Sequence, residues 1–346
     1  MAPALETSAD KWPTDEWPTH KWRRGELAND VDHDAVHATL RQLGDKPAAV
    51  GVSLATLIVH RSQIVVEQYG PGTTHDTTLI SWSMAKSITQ AVLGLLVLDG
   101  KLDIDAPADV AEFATTDKAP ITVRQLLEMR SGLQFVEDYV DDSVSDCLEM
   151  LFGTGALDHA HYAASLPLVD EPGTVWNYSS GTTNILARLA GQLIGGGEAG
   201  MRDFLLKRLF KPLGMASAEP KFDQVGTLVG SSYIYATARD FARFGFLYLH
   251  DGVWNGQRLL PQGWVDQARN VVSVDPDPPY FGYGAHWWIW RQYPGSMAAH
   301  GYEGQFTIVV PERDLVIVHL GKVPKDAAPP LVESLNRVIA AFPLSR

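Results

Sequence analysis

The first pair of residues with catalytic potential is Ser83 and Lys86, which bound the run SMAK. The pair follows a loop and opens an apolar segment whose spacing predicts a helix starting at Ser83. Residues three apart share one helix face, so the Lys86 amine can reach the Ser83 hydroxyl. That hydroxyl is a candidate nucleophile, and a partly desolvated lysine near the positive helix end is a candidate base. The alternative is a serine that caps the helix, followed by a solvated lysine.

Two later segments contain groups that such a pair needs. Tyr178 lies in the run NYSSG, between an apolar run and a predicted helix, Asn184–Leu193. A tyrosine beside a lysine can relay protons, because the nearby cation favours the phenolate. The run His300-Gly301-Tyr302 leads into the last predicted hairpin, where a glycine lets backbone N–H groups approach a substrate carbonyl. The alternatives are a core tyrosine and a simple turn.

The elements that must position these residues are strands at both ends of the chain and helices between them. Alternating and β-branched runs predict two hairpins, Ser53–His60 with Gln63–Tyr69, and Gln305–Val310 with Leu315–Leu320. Helical spacing predicts a short helix over Asp32–Leu43 and a last helix over Leu331–Phe342. We therefore expect an α+β protein with one sheet built from both termini. The predicted parts are an arm (1–30), a sheet domain (31–105 and 224–346) and a mainly helical insertion domain (106–223).

Three tryptophans stand five residues apart near the start of the chain, at Trp12, Trp17 and Trp22. A spacing of five fits neither a helix nor a strand. We expect the arm to dock these rings on the body of the protein.

Composition restricts the functions that the chain can have. The formal net charge is −13, which disfavours nucleic acid as a partner. Cys147 is the only cysteine, so a thiolate metal cluster is excluded, and His159 with His161 lacks a third convergent ligand. We predict no metal and no organic cofactor. The first residues lack a secretory pattern and Ala91–Leu98 is too short to cross a membrane, so we expect a cytoplasmic protein without a membrane partner.

The motifs together resemble the serine β-lactamase and penicillin-binding protein superfamily. The resemblance is to its class C-like hydrolase branch, which includes family VIII carboxylesterases and 6-aminohexanoate-dimer hydrolases, and it covers residues 50–325. The matching runs are Ser83–Ser87, Tyr178–Ser180, Ile121–Leu133 and Tyr235–Asp240. The resemblance implies an antiparallel sheet flanked by helices, a mainly helical insertion, and an active site where Ser83 opens the central helix.

The chain departs from the class C pattern at two places. Ser180 stands where those enzymes have the asparagine of Tyr-x-Asn, and His300-Gly301-Tyr302 stands where they have Lys-Thr-Gly. The strand lysine of that motif helps to bind a β-lactam carboxylate. Its loss argues against efficient β-lactamase or transpeptidase activity and favours the esterase and amidase relatives. In this comparison His300, Gly301 and Tyr302 are the candidate substrate-binding residues of the strand.

The acidic run Glu137–Asp142 is similar to a loop of the aminohexanoate-dimer hydrolases. In those enzymes a tyrosine over the active site helps to hold the amide, and Tyr139 is the matching residue. The resemblance also implies that nearby acidic residues favour a substrate amine. The alternative interpretation of this run is a solvated acidic turn.

The resulting hypothesis is a serine hydrolase that acts on an ester or amide bond of a small molecule. Ser83 attacks, Lys86 with Tyr178 moves protons, and the N–H groups of Ser83 and of the strand after His300 hold the oxyanion. Two alternatives stay open: a β-lactamase or D-amino-acid peptidase, and a catalytically silent ligand binder of the penicillin-binding type. The sequence does not identify the substrate or the oligomeric state.

Overall fold

A twisted sheet forms the centre of the molecule. The computed structural model describes residues 17–45, 47–139 and 144–345. Within those ranges the sheet has nine strands, in the order β1-β3-β2-β14-β13-β12-β11-β10-β9. The sheet strands are β1 (Arg23–Arg24), β2 (Val52–His60), β3 (Gln63–Tyr69), β9 (Ser273–Val274), β10 (Gly282–Tyr283), β11 (Trp288–Ile289), β12 (Met297–Gly301), β13 (Gln305–Val310) and β14 (Leu315–Lys322).

Short strands, twelve α-helices, one π-helix (Leu206–Phe210) and three short 3-10 helices complete the described part. The remaining strands are β4 (Leu79–Ile80), β5 (Glu219–Pro220), β6 (Ile234–Ala236), β7 (Val253–Trp254) and β8 (Gln257–Arg258). The helices are α1 (His33–Asp45), α2 (Pro47–Val50), α3 (Met84–Leu98), α4 (Val123–Leu127), α5 (Asp146–Phe152), α6 (His159–Ser165), α7 (Ser180–Ile194), α8 (Gly197–Leu205), α9 (Lys211–Leu213), α10 (Ala238–Leu249), α11 (Trp264–Arg269) and α12 (Ala328–Ala341).

The two predicted hairpins are present, and they meet in the sheet. Strand β14 pairs antiparallel with both β13 and β2, so that Ile317 lies opposite Ile308 on one side and Ile58 on the other. Arg61 and Ser62 join β2 to β3 with φ angles of 49° and 62°, as a tight hairpin turn requires. Except for the parallel pair of β1 and β3, the ladders are antiparallel, so the sheet is indeed built from both ends of the chain.

Side-chain alternation gives this sheet two buried faces. Ile58, Ile308 and Ile317 face one way and pack in one apolar cluster with residues of α1 and α12. Val59 and Val309 face the other way and pack in a second cluster with residues of α3 and α10. Successive residues of a strand point to opposite faces, so each strand serves both clusters. The helix that carries Ser83 therefore lies against one face only.

Helix α7 begins at Ser180, four residues before the predicted start at Asn184. The reason is its cap. The Ser179 hydroxyl accepts a hydrogen bond of 3.0 Å from the Thr182 N–H, which satisfies a free donor of the first turn. The first turn contains no apolar residue, so hydrophobic spacing does not reveal it. The correction places Tyr178 just before the N terminus of α7.

The two described tryptophans of the arm are buried on α10. The Trp17 ring lies 5.7 Å from Phe246 and the Trp22 ring 5.5 Å from it, both edge to face. The Trp22 indole N–H donates to the Arg239 carbonyl at 3.2 Å. Trp12 lies outside the described residues. The arm thus docks at least these two rings on the body, and its next residues form β1.

Residues 106–223 contain α4 to α9 and one short strand, β5, in their described part. The boundaries of a separate insertion domain stay a prediction. No helix in the described ranges has both the length and the apolar character needed to traverse a lipid bilayer.

Candidate active site

Ser83 is the N-cap residue of α3, which begins one residue after the predicted start, at Met84. Its hydroxyl makes no capping hydrogen bond, which leaves it free for other partners. Trp82, the preceding residue, has a φ of 42°, an uncommon left-handed conformation for a bulky side chain. Such strain persists only where surrounding contacts impose it, and it is frequent at functional sites. The alternative of a merely capping serine therefore does not describe Ser83.

Lys86 is buried, with 2 % of its surface exposed. Its Nζ donates to Ser83 Oγ at 2.8 Å, to Ser180 Oγ at 2.9 Å and to the Ser231 carbonyl at 3.1 Å. The first acceptor is on the same helix, the second opens α7, and the third lies in the loop before β6. This burial rules out the alternative of a solvated lysine. It also places the amine within hydrogen-bonding distance of the candidate nucleophile.

Tyr178 lies against the same amine. The Lys86 Nζ is 4.9 Å from the centre of the Tyr178 ring. Burial raises the pKa of Tyr178 above its usual value, while the Lys86 charge and hydrogen bonding to Ser83 and Lys86 lower it. The Lys86 charge thus lowers the Tyr178 pKa, as predicted, but burial raises this pKa by more. Tyr178 is a neutral phenol at physiological pH, which suits it to donate a proton.

Gly301 ends β12 beside the start of α3. A Cβ added at Gly301 would lie 2.3 Å from the Ser81 carbonyl oxygen and 3.2 Å from the Ser83 nitrogen. Only glycine permits this approach of two backbones. In the described part of the chain, the Ser83 N–H has no protein acceptor. The end of β12 therefore lies directly beside the Ser83 N–H.

Three aromatic side chains contact one another beside Ser83, namely Trp82, Tyr139 and Tyr302, and we call them the aromatic rim. The Tyr302 ring lies 6.0 Å from Trp82 and 4.9 Å from Tyr139. Tyr302 is exposed, whereas the other two are half-buried. Two of the sequence-predicted residues, Tyr139 and Tyr302, are therefore brought into contact. Trp82 was not predicted, although it directly precedes Ser83.

His300 requires a correction. It alternates with Gly301 on β12, so its side chain points to the sheet face opposite α3. There the ring stacks on Trp288, with centres 5.2 Å apart, and packs edge to face on Phe306. The Trp290 indole N–H donates to His300 Nε2 at 2.9 Å, and burial lowers the His300 pKa to about 3. A neutral ring on the far face is not a direct substrate ligand of Ser83, so any role of His300 is to support β12.

The acidic run is described only as far as Tyr139, and Val140, Asp141 and Asp142 lie outside the described residues. The Glu137 carboxylate is not free, because it accepts hydrogen bonds from neighbouring residues. Its Oε2 accepts from the Ser180 N–H at 2.7 Å and its Oε1 accepts from the Ser180 hydroxyl at 2.6 Å. The Tyr139 hydroxyl donates to the same Oε1. Sequence reasoning missed this function of Glu137, because its partner Ser180 is 43 positions away in the chain.

Other ionisable groups near the site remain neutral. Burial raises the pKa of the Cys147 thiol to about 12. Burial also lowers the pKa of His286 to about 3. Three or more metal-ligating side chains do not converge anywhere in the described ranges. Among the described groups at the site, the serine, the buried amine and the phenol are therefore the ones arranged for chemistry.

Comparisons with known proteins show which family the chain resembles. The Beta-lactamase family profile matches residues 36–340. A 6-aminohexanoate-dimer hydrolase of Paenarthrobacter ureafaciens is 28% identical over 290 residues, which span 78% of this chain and 72% of the relative. A Bacillus anthracis protein provisionally named as such a hydrolase has a TM-score of 0.76 at 22% identity, over 94% of this chain and 88% of its own. A family VIII carboxylesterase has a TM-score of 0.65 at 15% identity, over 91% and 99%.

The fold and the family profile together define the class. The chain belongs to the β-lactamase family, and its predicted fold of an antiparallel sheet with flanking helices is confirmed. It is an enzyme of the serine hydrolase class. The structural relatives establish the fold, and what their names say of substrates applies to them.

Proposed function

We propose that this enzyme cleaves an ester or amide bond of a small molecule through an acyl-enzyme on Ser83. The observation that carries the proposal is the contact of 2.8 Å between the Ser83 hydroxyl and the buried Lys86 amine, with the Tyr178 ring against that amine. A buried amine close to a free hydroxyl is the arrangement that activates a serine nucleophile. The names of the relatives support carboxylesterase or aminohexanoate-dimer-hydrolase-like amidase activity.

Acylation in this proposal begins with attack of Ser83 Oγ on the substrate carbonyl, while the hydroxyl proton passes to the Lys86 amine. The N–H groups of Ser83 and of the segment after Gly301 stabilise the oxyanion. The tetrahedral intermediate collapses by breaking the carbonyl bond to the leaving alcohol or amine. Tyr178 donates a proton to that group and regains one from Lys86.

Deacylation repeats these steps with water as the nucleophile. The Tyr178–Lys86 pair removes a proton from water, the acyl bond to Ser83 breaks, and the serine regains its proton. Neither acylation nor deacylation, as proposed, requires a metal or an organic cofactor. The aromatic rim supports an apolar acyl or leaving group, because its rings offer flat apolar surface beside the nucleophile.

The test is a hydrolysis assay of the purified protein and its Ser83→Ala variant on p-nitrophenyl butyrate, a linear aminohexanoate dimer and nitrocefin. We expect ester or amide turnover in the parent, slow nitrocefin turnover, and loss of all turnover in the variant with unchanged circular dichroism. Ser87→Ala is the matched control, because Ser87 is a buried serine of the same helix that donates to the His286 carbonyl at 2.7 Å. It should retain turnover.

Other outcomes would separate the alternatives. Fast nitrocefin turnover would favour the β-lactamase alternative over the esterase and amidase branch. Substantial turnover in Ser83→Ala would overturn the assignment of the nucleophile. No turnover on any substrate, together with no labelling of Ser83 by a fluorophosphonate, would favour the silent binder.

A further inference from the structure

Ser180 has one hydroxyl proton, and the structure shows where that proton goes. Ser180 Oγ donates to Glu137 Oε1 at 2.6 Å, and the Ser180 N–H donates to Glu137 Oε2 at 2.7 Å. A hydroxyl has a single donor, so Ser180 can only accept from its other hydrogen-bonding neighbours, Lys86 and the Cys147 thiol. Ser180 is also almost completely buried, with 1 % of its surface exposed, so water does not replace these partners.

This arrangement determines the direction in which the lone pair of the Lys86 amine points. In the structure Lys86 Nζ donates to three oxygens, as an ammonium group does. In the base form that the proposed function requires, the amine has two N–H bonds and one lone pair. Two fixed acceptors surround Lys86 Nζ, namely Ser180 Oγ at 2.9 Å and the Ser231 carbonyl at 3.1 Å. When both take an N–H bond, the lone pair is left toward the third neighbour, Ser83 Oγ at 2.8 Å. That orientation lets the amine accept the serine proton.

The geometry points to Glu137 as a positioning residue that keeps Ser180 an acceptor and thereby aims the Lys86 lone pair at Ser83. The inference rests on the proposed function of Ser83 and Lys86 and adds a residue to it. Without the Glu137 carboxylate, the Ser180 hydroxyl is free to rotate and donate to the neutral amine. It would then compete with Ser83 for the lone pair, and the base would be occupied.

The position of Glu137 explains why a carboxylate is needed there. It holds both donors of Ser180 and the Tyr139 hydroxyl, at the positive end of α7. A glutamine can match only one of the two Ser180 donors, because its second atom is an N–H₂ group. In one orientation of the amide, its N–H₂ group faces the Ser180 N–H, so that two donors oppose each other. In the other orientation the N–H₂ group donates to Ser180 Oγ, and the Ser180 hydroxyl proton must turn away. The Tyr139 hydroxyl donates to the same Glu137 oxygen as Ser180 does. Hydrogen bonds therefore connect the aromatic rim, through Glu137 and Ser180, to Lys86.

The experiment is a double-substitution cycle on Glu137 and Ser180, read as kcat and KM on p-nitrophenyl butyrate and as the rate of fluorophosphonate labelling of Ser83. We expect Glu137→Gln to lower kcat and the labelling rate between about tenfold and a hundredfold, with KM nearly unchanged. In the Ser180→Ala background the same change should cost less than about threefold, because no hydroxyl is left to compete.

Asp146→Asn is the control for a purely structural effect. Asp146 Oδ2 accepts from the Val136 N–H at 2.7 Å, next to Glu137, and its Oδ1 accepts from the Tyr162 hydroxyl at 2.8 Å. It thus anchors the same loop without contacting Lys86 or Ser180. Its substitution should lower the unfolding temperature but leave kcat within about threefold, since a structural contact away from the relay is lost.

An equal loss from Glu137→Gln with and without Ser180, or no loss at all, would overturn the inference. If Glu137→Gln does not fold, Glu137→Asp takes its place, since it keeps the charge but draws the carboxylate back from Ser180; the same losses are expected, and full activity would overturn the inference. Failure of the proposed function is distinguishable, because Ser83 of the parent protein would then neither label nor turn over substrate.

Discussion

Among the described residues two lysines are buried, Lys86 and Lys118, and their surroundings predict different roles. Lys86 reaches two serine hydroxyls and one carbonyl. Lys118 donates only to the carbonyls of Ala164 and Leu166, at 2.7 and 3.1 Å. A lysine held only by backbone carbonyls fixes a loop, whereas one that contacts a free hydroxyl can exchange protons with it.

We therefore expect Lys86→Met to reduce kcat by at least about a thousandfold, since it removes the proposed base while nearly conserving side-chain volume. Lys118→Met should lower the unfolding temperature and leave kcat nearly unchanged. The measurement is kcat on p-nitrophenyl butyrate with thermal unfolding of both variants. Equal losses of kcat in the two variants would show that buried charge, and not the contact with Ser83, matters.

At the scale of elements, the site depends on the closeness of the end of β12 to the start of α3. Gly301 has a φ of −131°, which any residue can adopt, so its requirement is steric rather than conformational. The atoms nearest to an added Cβ are the Ser81 carbonyl oxygen, Gln305 Cβ and the Ser83 nitrogen. None of these is the far end of a flexible side chain, so none can move aside easily. A methyl group there must push the strand away from the helix.

Gly301→Ala should thus lower kcat by about a hundredfold through displacement of the oxyanion donors. Gly191→Ala is the matched control, because Gly191 lies inside α7 and an added Cβ would meet only Met201 at 3.9 Å. That change should retain kcat and raise the free energy of unfolding by about 0.5–1 kcal/mol. Steady-state kinetics and urea unfolding check both, and full activity of Gly301→Ala would contradict the steric argument.

Local patterns predicted the elements well where neighbours in sequence decide them. The two hairpins and the start of α3 depend on residues a few positions apart. The structure has both hairpins and begins α3 one residue after Ser83. The contact of Glu137 with Ser180 and the far-face position of His300 depend on long-range packing and on strand register. One residue of register reverses the face of a side chain, so His300 could not be placed from sequence.

At the scale of the whole molecule, burial of histidines predicts how stability depends on pH. Burial lowers the pKa to about 4 or below for His60, His159, His250, His286, His300 and His319. Between about pH 4 and 6.5 the unfolded chain binds protons at these positions that the folded chain does not. Stability therefore falls as the pH drops through this range. Burial raises the pKa of Asp314 to about 6 and also raises the pKa values of Glu128, Asp223 and Asp275. These four carboxyls act in the opposite direction, but the six histidines outnumber them.

The free energy of unfolding in urea should drop by at least about 2 kcal/mol between pH 7 and pH 5. His60→Phe should flatten this dependence, because the His60 ring already packs on Phe342 at 4.9 Å and a phenyl ring keeps that contact without titrating. Substitution of the exposed His75 by glutamine is the control and should leave the slope unchanged. A stability that is constant or rises toward pH 5 would contradict the prediction.

The position of β14 between β2 and β13 has a consequence for how the protein is made. During synthesis β2 and β3 leave the ribosome long before β14 does. Ile58 of β2 pairs with Ile317 of β14, which is made much later. The nascent hairpin therefore exposes an unpaired edge through synthesis of the whole helical middle, and contacts of such high sequence separation form slowly. The yield of folded enzyme should therefore depend more on the rate of synthesis and on the supply of chaperones than on the stability of the finished sheet.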